Sequence, residues 1–227
     1  MTGPLRMAAP PTTDETAGRL KALRDRLDVV DTSIHRLLRE RFEIVEEIGA
    51  AKGPDEPVIR PAREAAVIEN RLALHKGAMP PDMLAHIWRV VMSAACMVQR
   101  PFTVHTFGAP DVAAFLYGPV PLIAHSSAER AVRALSPGDV AVLHGDDGWW
   151  RAAREVGAHG LLRVPLEGGE ALVVGGPNVA PGAGPDAVLV RDETLQILPA
   201  SAITADDIVL GRPHTFPMKL PTAKIAP

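Results

Sequence analysis

Three cations on one candidate helix, Arg24, Arg41 and Lys52, are separated by 17 and 11 residues. At 100° per residue those steps bring all three to within about 100° of the same general face. Arg63 and Glu64 open the next candidate helix, with Arg60 just upstream, and Gln99 lies near the end of a third. A guanidinium fork matches a carboxylate through two parallel hydrogen bonds, and ammonium or amide donors stabilise an oxygen that gathers negative charge. Any one of these side chains taken alone is most simply a solvated surface residue. As a set they are harder to dismiss.

The elements that must carry them are legible from punctuation. No proline occurs from Thr12 to Gly53, although the whole chain contains 22. Within that window Leu20, Leu23, Leu27, Val30, Ile34, Leu37, Leu38, Ile44, Val45 and Ile48 recur at threes and fours, one face of a long helix. Thr13 or Asp14 stands near its start, and Gly53 is a natural stop. A helix of about 38 residues is roughly 57 Å long, whereas a compact domain of about 100 residues has a radius of gyration near 13 Å. Such a helix is too long for its own domain to cover and needs a second copy of itself. Pro54 and Pro57 make a turn, and Pro61 suits the first position of a second helix running to about Lys76. Gly77, Pro80 and Pro81 break the chain again. A third helix is expected from about Asp82 to Arg100, with Leu84, Ile87, Trp88, Val91, Met92, Ala95 and Val98 in its apolar stripe.

After Pro101 the texture changes. Short β-prone runs, "TVHTF", "PLIAH", "VAVLH", "LLRVP", "ALVVGG" and "AVLVR", alternate with Gly and Pro, and helix-like segments at Asp111–Tyr117, Ser126–Leu135 and Trp149–Val156 follow three of them. Strand, helix, strand, helix argues an α/β layer fold.

Composition bounds the function. A formal net charge of −3 argues against a dedicated nucleic-acid binder. The single cysteine, Cys96, excludes an intrachain disulfide framework and fits a reducing compartment. No run approaches the roughly 18 apolar residues of a membrane span, and the leader "MTGPLRMAAPPTTDETAGR" lacks the apolar run of a secretory signal. A soluble cytoplasmic protein is expected.

The three segments "LKALRDRLDVVDTSIHRLLRERFEIVEEIGAAKG", "VIRPAREAAVIENRL" and "IWRVVMSAACMVQRPF" together resemble the all-helical chorismate mutases, most of all the mutase half of bifunctional chorismate mutase–prephenate dehydratases. The resemblance covers about Leu20 to Phe102. It implies a three-helix mutase domain that forms an intertwined homodimer, acting on chorismate without metal or cofactor. Conversion of chorismate to prephenate is a pericyclic rearrangement, so the enzyme need only hold a chair-like conformer and stabilise charge on the ether oxygen. By the resemblance, Arg41 clamps one substrate carboxylate and Arg24 reaches in from the partner subunit to hold another. Lys52 and Gln99 are the catalytic donors to the ether oxygen, Glu64 accepts a hydrogen bond from the ring hydroxyl, and Arg63 orders the site around the carboxylate. Family members often carry an aspartate where Arg60 stands and a serine where Ala95 stands, which leaves the hydroxyl to Glu64. An isochorismate–pyruvate lyase uses a related scaffold but tends to have an apolar residue in place of Glu64. A non-catalytic dimer that senses an aromatic metabolite is the other alternative.

From "PFTVHTFGAPDVAAF" onward the chain resembles the first lobe of a prephenate dehydratase, a periplasmic-binding-like α/β fold, over about Thr103 to Gly176. Gly169, Glu170 and Ala171 replace the Thr-Arg-Phe motif that carries dehydratase chemistry, so a dehydratase-like lobe without that activity is expected. The expected organisation is therefore multidomain α plus α/β. It comprises a disordered tail at 1–13, the helical domain at 14–101, the α/β lobe at 102–212 and a Pro-rich tail at 213–227, with no regulatory ligand-binding domain after it. "GGEALVVGGPNVAPGAGPD" lacks a phosphate loop's Lys-Ser/Thr and reads as a solvated loop. Asp146 and Asp147 lack the spacing of a metal site and read as a helix start, with Trp149 or Trp150 packing down. His125 and His144 read as strand-end caps.

Overall fold

The computed structural model describes residues 13–145, 148–217 and 219–220. Residues 1–12 of the expected leading tail, the Asp146–Asp147 pair, Met218 and residues 221–227 lie outside the described residues. The chain divides into two compact units, with the division after Val45.

The proline-free window forms one helix, α1 (Thr13–Ala51), of 39 residues, ending just before Gly53. Residues of this helix up to Val45 make up the described part of the first unit. Ion pairs one turn apart, Lys21–Asp25 at 2.9 Å, Arg36–Glu40 at 3.2 Å and Arg39–Glu43 at 3.5 Å, support the polar face. Each contributes only a few tenths of a kcal/mol. The apolar face is another matter. Leu20, Leu23, Leu27, Val30, Ile34, Leu37, Leu38 and Ile44 are 37–57% exposed. A helix gains most of its stability by burying such a stripe against something else.

In the second unit, α2 (Pro61–Leu74) starts with Pro61 at its first turn, where the missing N–H is one of the helix's unpaired donors anyway. The third helix, α3 (Pro81–Gln99), buries Ala85, Arg89, Met92, Ser93, Ala95 and Cys96. That face is rotated from the expected stripe, and Ile87 and Val98 are exposed. The α/β layer then follows as β1 (Val104–Phe107), α4 (Pro110–Tyr117), β2 (Leu122–Ala124), α5 (Ala128–Arg133), β3 (Val140–Leu143), α6 (Trp150–Val156), β4 (His159–Leu166) and β5 (Gly169–Gly175). Trp149 and Trp150 pack down as expected. Strand β1 pairs in parallel with β2 and β3, while β3 pairs antiparallel with β5 and β5 with β4. The sheet is thus mixed rather than a simple parallel layer. All four residues of β3 are buried, the continuous apolar run expected of a strand covered on both faces.

Three further strands lie beyond the expected ones. After β6 (Asp186–Arg191), β7 (Thr194–Pro199) returns through Asp192 and Glu193, both at positive φ, and β8 (Ile208–Gly211) pairs on the other side of β6. Two positive-φ residues match a tight hairpin turn, normally advertised by Asn-Gly or Asp-Gly. Asp-Glu hides it. The last strand, β9 (His214–Thr215), runs parallel to β4, and Phe216 and Leu220 are buried beyond it. The described part of the Pro-rich tail therefore wraps the sheet.

No break in packing separates α2 and α3 from the α/β layer. Ile59, Ile68, Met92 and Cys96 share one continuous core with Val104, Leu116, Val164 and Phe216. A second core, on the face of α5 and α6, joins Val132, Trp149 and Val174 to Val188 and Val190. Among the described residues no helix is long and apolar enough to cross a membrane.

The Gly-rich segment corrects its expectation. Its first part is strand β5, with Ala171, Leu172, Val173 and Val174 buried; in the remainder Gly182 and Gly184 press against residues 212–213, while Asn178, Pro181, Ala183 and Pro185 are exposed. A Cβ at Gly184 would lie 2.0 Å from the Pro213 carbonyl oxygen, which glycine alone avoids. Gly184→Ala should therefore lower the unfolding free energy by about 1–3 kcal/mol, the range for overpacking. Gly53→Ala, with nothing within 4 Å of the added Cβ, should change it by less than about 0.5 kcal/mol. Urea titration of both variants checks the difference.

Candidate functional site

The chain just past α1 and the last turn of α3 bring two of the expected site residues together. Lys52 Nζ donates to Gln99 Oε1 at 2.8 Å and to the Pro57 carbonyl at 3.1 Å. Gln99 Nε2 donates to the Ala95 carbonyl one turn back, at 3.1 Å. Gly49 makes room for this arrangement, because a Cβ there would lie 3.2 Å from Gln99 Cγ. An ammonium has three N–H donors and a primary amide two. These bonds use two from Lys52 and one from Gln99, so each group retains a donor for an incoming oxygen.

The electrostatics favour such a partner. Burial lowers the Lys52 pKa below its ordinary 10.5, and the neighbouring Arg60 and Arg100 push in the same direction. Arg60 itself is exposed, bonded to Glu56 at 2.6 Å and to the Pro57 carbonyl at 3.1 Å. An anionic or strongly accepting ligand would relieve this crowding of positive charge.

Glu64 stands apart from that pair. It is buried in the first turn of α2, and its Oε2 accepts from Arg89 Nη1 in a short ion pair. The other oxygen, Oε1, lies 4.0 Å from Cys96 Sγ. Arg89 also donates from Nε to the Leu116 carbonyl at 3.1 Å, and its guanidinium sits 4.7 Å from the centre of the Tyr117 ring. Burial works against the Arg89 charge, yet Glu64 and Tyr117 hold its pKa above the ordinary value. Burial pushes the Tyr117 phenol up to about 12, against the pull of Arg89.

Arg63 is exposed on the first turn of α2. Arg24 and Arg41 belong to the first unit. Arg24 is exposed, and Arg41 is half-buried with its guanidinium 5.8 Å from the Phe42 ring. Of the six expected site residues, Lys52 and Gln99 are directly bonded, and Glu64 is held by Arg89, which was not among the expected set. Arg89 had a sequence signal. It lies three and seven residues before Met92 and Cys96, on the ridge that α3 buries. An arginine there interrupts an otherwise apolar or small-residue line.

The strand-end histidines are not mere caps. His125 Nε2 lies 2.9 Å from His105 Nδ1, and His105 Nε2 is 3.6 Å from Asp139 Oδ2. Burial lowers the His125 pKa, with His105 and Arg130 adding to the shift. His144 Nδ1 contacts the Glu170 carbonyl at 2.8 Å.

Comparison with known proteins bears on the same segment. The family described as chorismate mutase type II matches residues 23–100. A bifunctional chorismate mutase/prephenate dehydratase of Neisseria gonorrhoeae is 40% identical over 85 residues, which is 37% of this chain and 23% of that protein. A second, from Aquifex aeolicus, is 35% identical over 94 residues, 39% of this chain and 26% of that protein. The chain thus spans about a quarter of the length of these bifunctional relatives. A 4-amino-4-deoxychorismate mutase of Streptomyces pristinaespiralis is 33% identical over 137 residues, 58% of this chain and 99% of that protein. No solved structure matches significantly.

The local charge balance yields a direct measurement. Lys52 should titrate below 10.5 in an NMR titration of the dimethylated protein. Gln99→Glu should move Lys52 upward, because a carboxylate beside the ammonium favours its charged form. Between its folded and unfolded pKa values Lys52 holds fewer protons folded than unfolded, so its contribution to stability grows as pH rises through that window. A Lys52 resonance titrating at or above 10.5 would contradict the arrangement.

Proposed function

We propose, from the premise that the chain belongs to the chorismate mutase type II family, that it rearranges chorismate to prephenate as a step in aromatic amino-acid biosynthesis. The observation that carries this reading is the Lys52–Gln99 pair, joined by a 2.8 Å hydrogen bond from Nζ to Oε1, each side chain with an N–H to spare. The rearrangement breaks a C–O bond and forms a C–C bond within one molecule. It requires no nucleophile, general base or metal, and negative charge gathers on the ether oxygen as the C–O bond stretches. Lys52 and Gln99 donate to that oxygen, and because they are already fixed they stabilise the charge without reorganising. Arg24, Arg41 and Arg63 bind the substrate's carboxylates, which together with Glu64 on the ring hydroxyl select the compact conformer.

The working form in this reading is a homodimer in the reducing cytoplasm, with Arg24 serving the partner's site. The uncovered apolar face of α1, Leu20 to Ile44, supports it. A second copy of the same helix supplies a face of matching length and character. The α/β part is a dehydratase-like, periplasmic-binding-like lobe that has lost its chemistry. In support, Glu170 is occupied in an ion pair with Arg163 at 2.8 Å and stands where the dehydratase motif would.

A second substrate is raised by the relative that acts on the 4-amino analogue, since it aligns with 58% of this chain. The charge around Glu64 argues for the hydroxyl substrate. Arg89 already balances that carboxylate, and Arg63 stands beside it on the first turn of the same helix. A ring ammonium would meet a net positive surrounding, whereas a neutral hydroxyl needs only an acceptor.

Purified protein should therefore consume chorismate and form prephenate at a higher kcat/KM than it achieves on 4-amino-4-deoxychorismate. Pyruvate release from isochorismate as the main activity, or no turnover of chorismate, would remove the proposal. Mixing Arg24→Ala and Arg41→Ala chains should restore part of the activity each lacks, because one site in the heterodimer regains both arginines.

Rate against pH tests the donors. The wild type should lose activity on the alkaline side as Lys52 deprotonates, starting below the pH expected of an ordinary lysine. Gln99→Glu should be most impaired at neutral pH, where its carboxylate opposes the developing charge, and should recover as pH falls. Gln99→Ala should lose about 10²–10³-fold at every pH. Flat and equal profiles for all three proteins would exclude Gln99 from the reaction.

A further inference from the structure

The buried arginine on α3 has no role in the proposed rearrangement, and its surroundings give it one. Three of its contacts reach three different groups. Nη1 pairs with Glu64 on α2, Nε caps the Leu116 carbonyl at the end of α4, and the guanidinium plane lies 4.7 Å from the centre of the Tyr117 ring. One turn along α3, Ser93 Oγ donates to the next carbonyl, Tyr117 O, at 2.8 Å. The last carbonyls of a helix have no partner within it and carry the negative end of its dipole. Arg89 and Ser93, four residues apart on one ridge, thus bind α3 to the end of α4.

Glu64 needs such a neighbour. It is 9% exposed, and a buried carboxylate without a counter-charge is strongly unfavourable. Arg89 supplies the charge through Oε2 only. Oε1, 4.0 Å from the Cys96 sulfur, keeps acceptor capacity for a hydroxyl. The carboxylate is therefore both held and still able to accept. Arg89 in turn is aimed by a carbonyl and a ring that belong to the α/β part of the chain. A lysine could meet one of these demands but not all, since it lacks the planar fork.

We propose that Arg89 is the positioning residue for Glu64, and that through Arg89 the end of α4 sets the geometry with which Glu64 receives the substrate's ring hydroxyl. This rests on the assignment of the chain as a mutase with Glu64 at its substrate. It gives the α/β part a function that needs no second activity: it is the fixed body against which one substrate contact is aligned.

The experiment is a double-mutant cycle on the full chain, with chorismate as substrate and kcat and KM measured separately. Arg89→Met and Glu64→Ala should each raise KM by about ten- to a hundredfold, with a smaller change in kcat, because the hydroxyl–carboxylate hydrogen bond is made in ground and transition states alike. Combined, they should cost no more than Glu64→Ala alone, since Arg89 acts through Glu64. Arg89→Lys should recover part of the loss, and Ser93→Ala, which cuts the neighbouring bond to α4 and spares Glu64, should leave KM within about twofold. If Arg89→Met does not fold by circular dichroism, Arg89→Lys takes its place in the cycle, with the same non-additivity expected. Additive losses in the cycle, or a normal KM in Arg89→Met or Glu64→Ala, would overturn the proposal while leaving the mutase assignment intact. A wild-type chain inactive on chorismate would overturn both.

Discussion

A guanidinium taken out of water costs several kcal/mol unless acceptors replace the lost solvent. Arg89, 6% exposed, meets that demand with a carboxylate on α2, a carbonyl at the end of α4 and an aromatic face beside it. Removing one partner would leave a charge or a helix end unsatisfied, so the three helices constrain one another's positions. The apolar core between them is non-directional and tolerates small shifts. The ionic contact does not. It fixes the phase of α3, and with it the direction in which Gln99, ten residues later, meets Lys52.

The same phase explains the rotated face of α3. A pattern of apolar residues alone would bury Ile87 and Val98, yet these are exposed while Arg89 and Ser93 are inside. In that phase Arg89 and Ser93 both donate to carbonyls at the end of α4. Exposed apolar area is greater still on α1. A single helix of 39 residues with eight large apolar side chains at 37–57% exposure is a surface looking for a partner. Dimerisation of the proposed kind removes that exposure and completes the arginine set in one step.

The α/β part is held by tighter geometry than its glycine content implies. Chain segments approach at Gly182 and Gly184 closely enough that residues 212–213 occupy the space of a side chain. That contact leads into β9 and the buried Phe216, so the end of the described chain closes over β4 and over the core that α2 shares.

Local periodicity and punctuation determined a good deal by themselves. The proline-free window marked α1 within a residue or two, Pro61 and Pro81 opened the next helices, and each expected β-prone run lies on a strand. Those element boundaries are legible because they depend on residues within a turn or two of one another. Lys52 and Gln99, which the fold joins across 47 residues, were marked as partners by the family resemblance and not by spacing. What only the tertiary structure decided depends on distant pairing. Residues 194–199 form a strand because β6 lies beside them and an Asp-Glu turn closes the hairpin, with no local signal for either. Gly182 and Gly184 are close-packed because residues 212–213 return to them. Arg89 is internal, and Glu64 is held, because α4 ends where it can accept a hydrogen bond from 27 residues away. A sequence pattern records which side chains share a face. It does not record which buried charge will find its partner on another element, and that pairing is what aligns this candidate site.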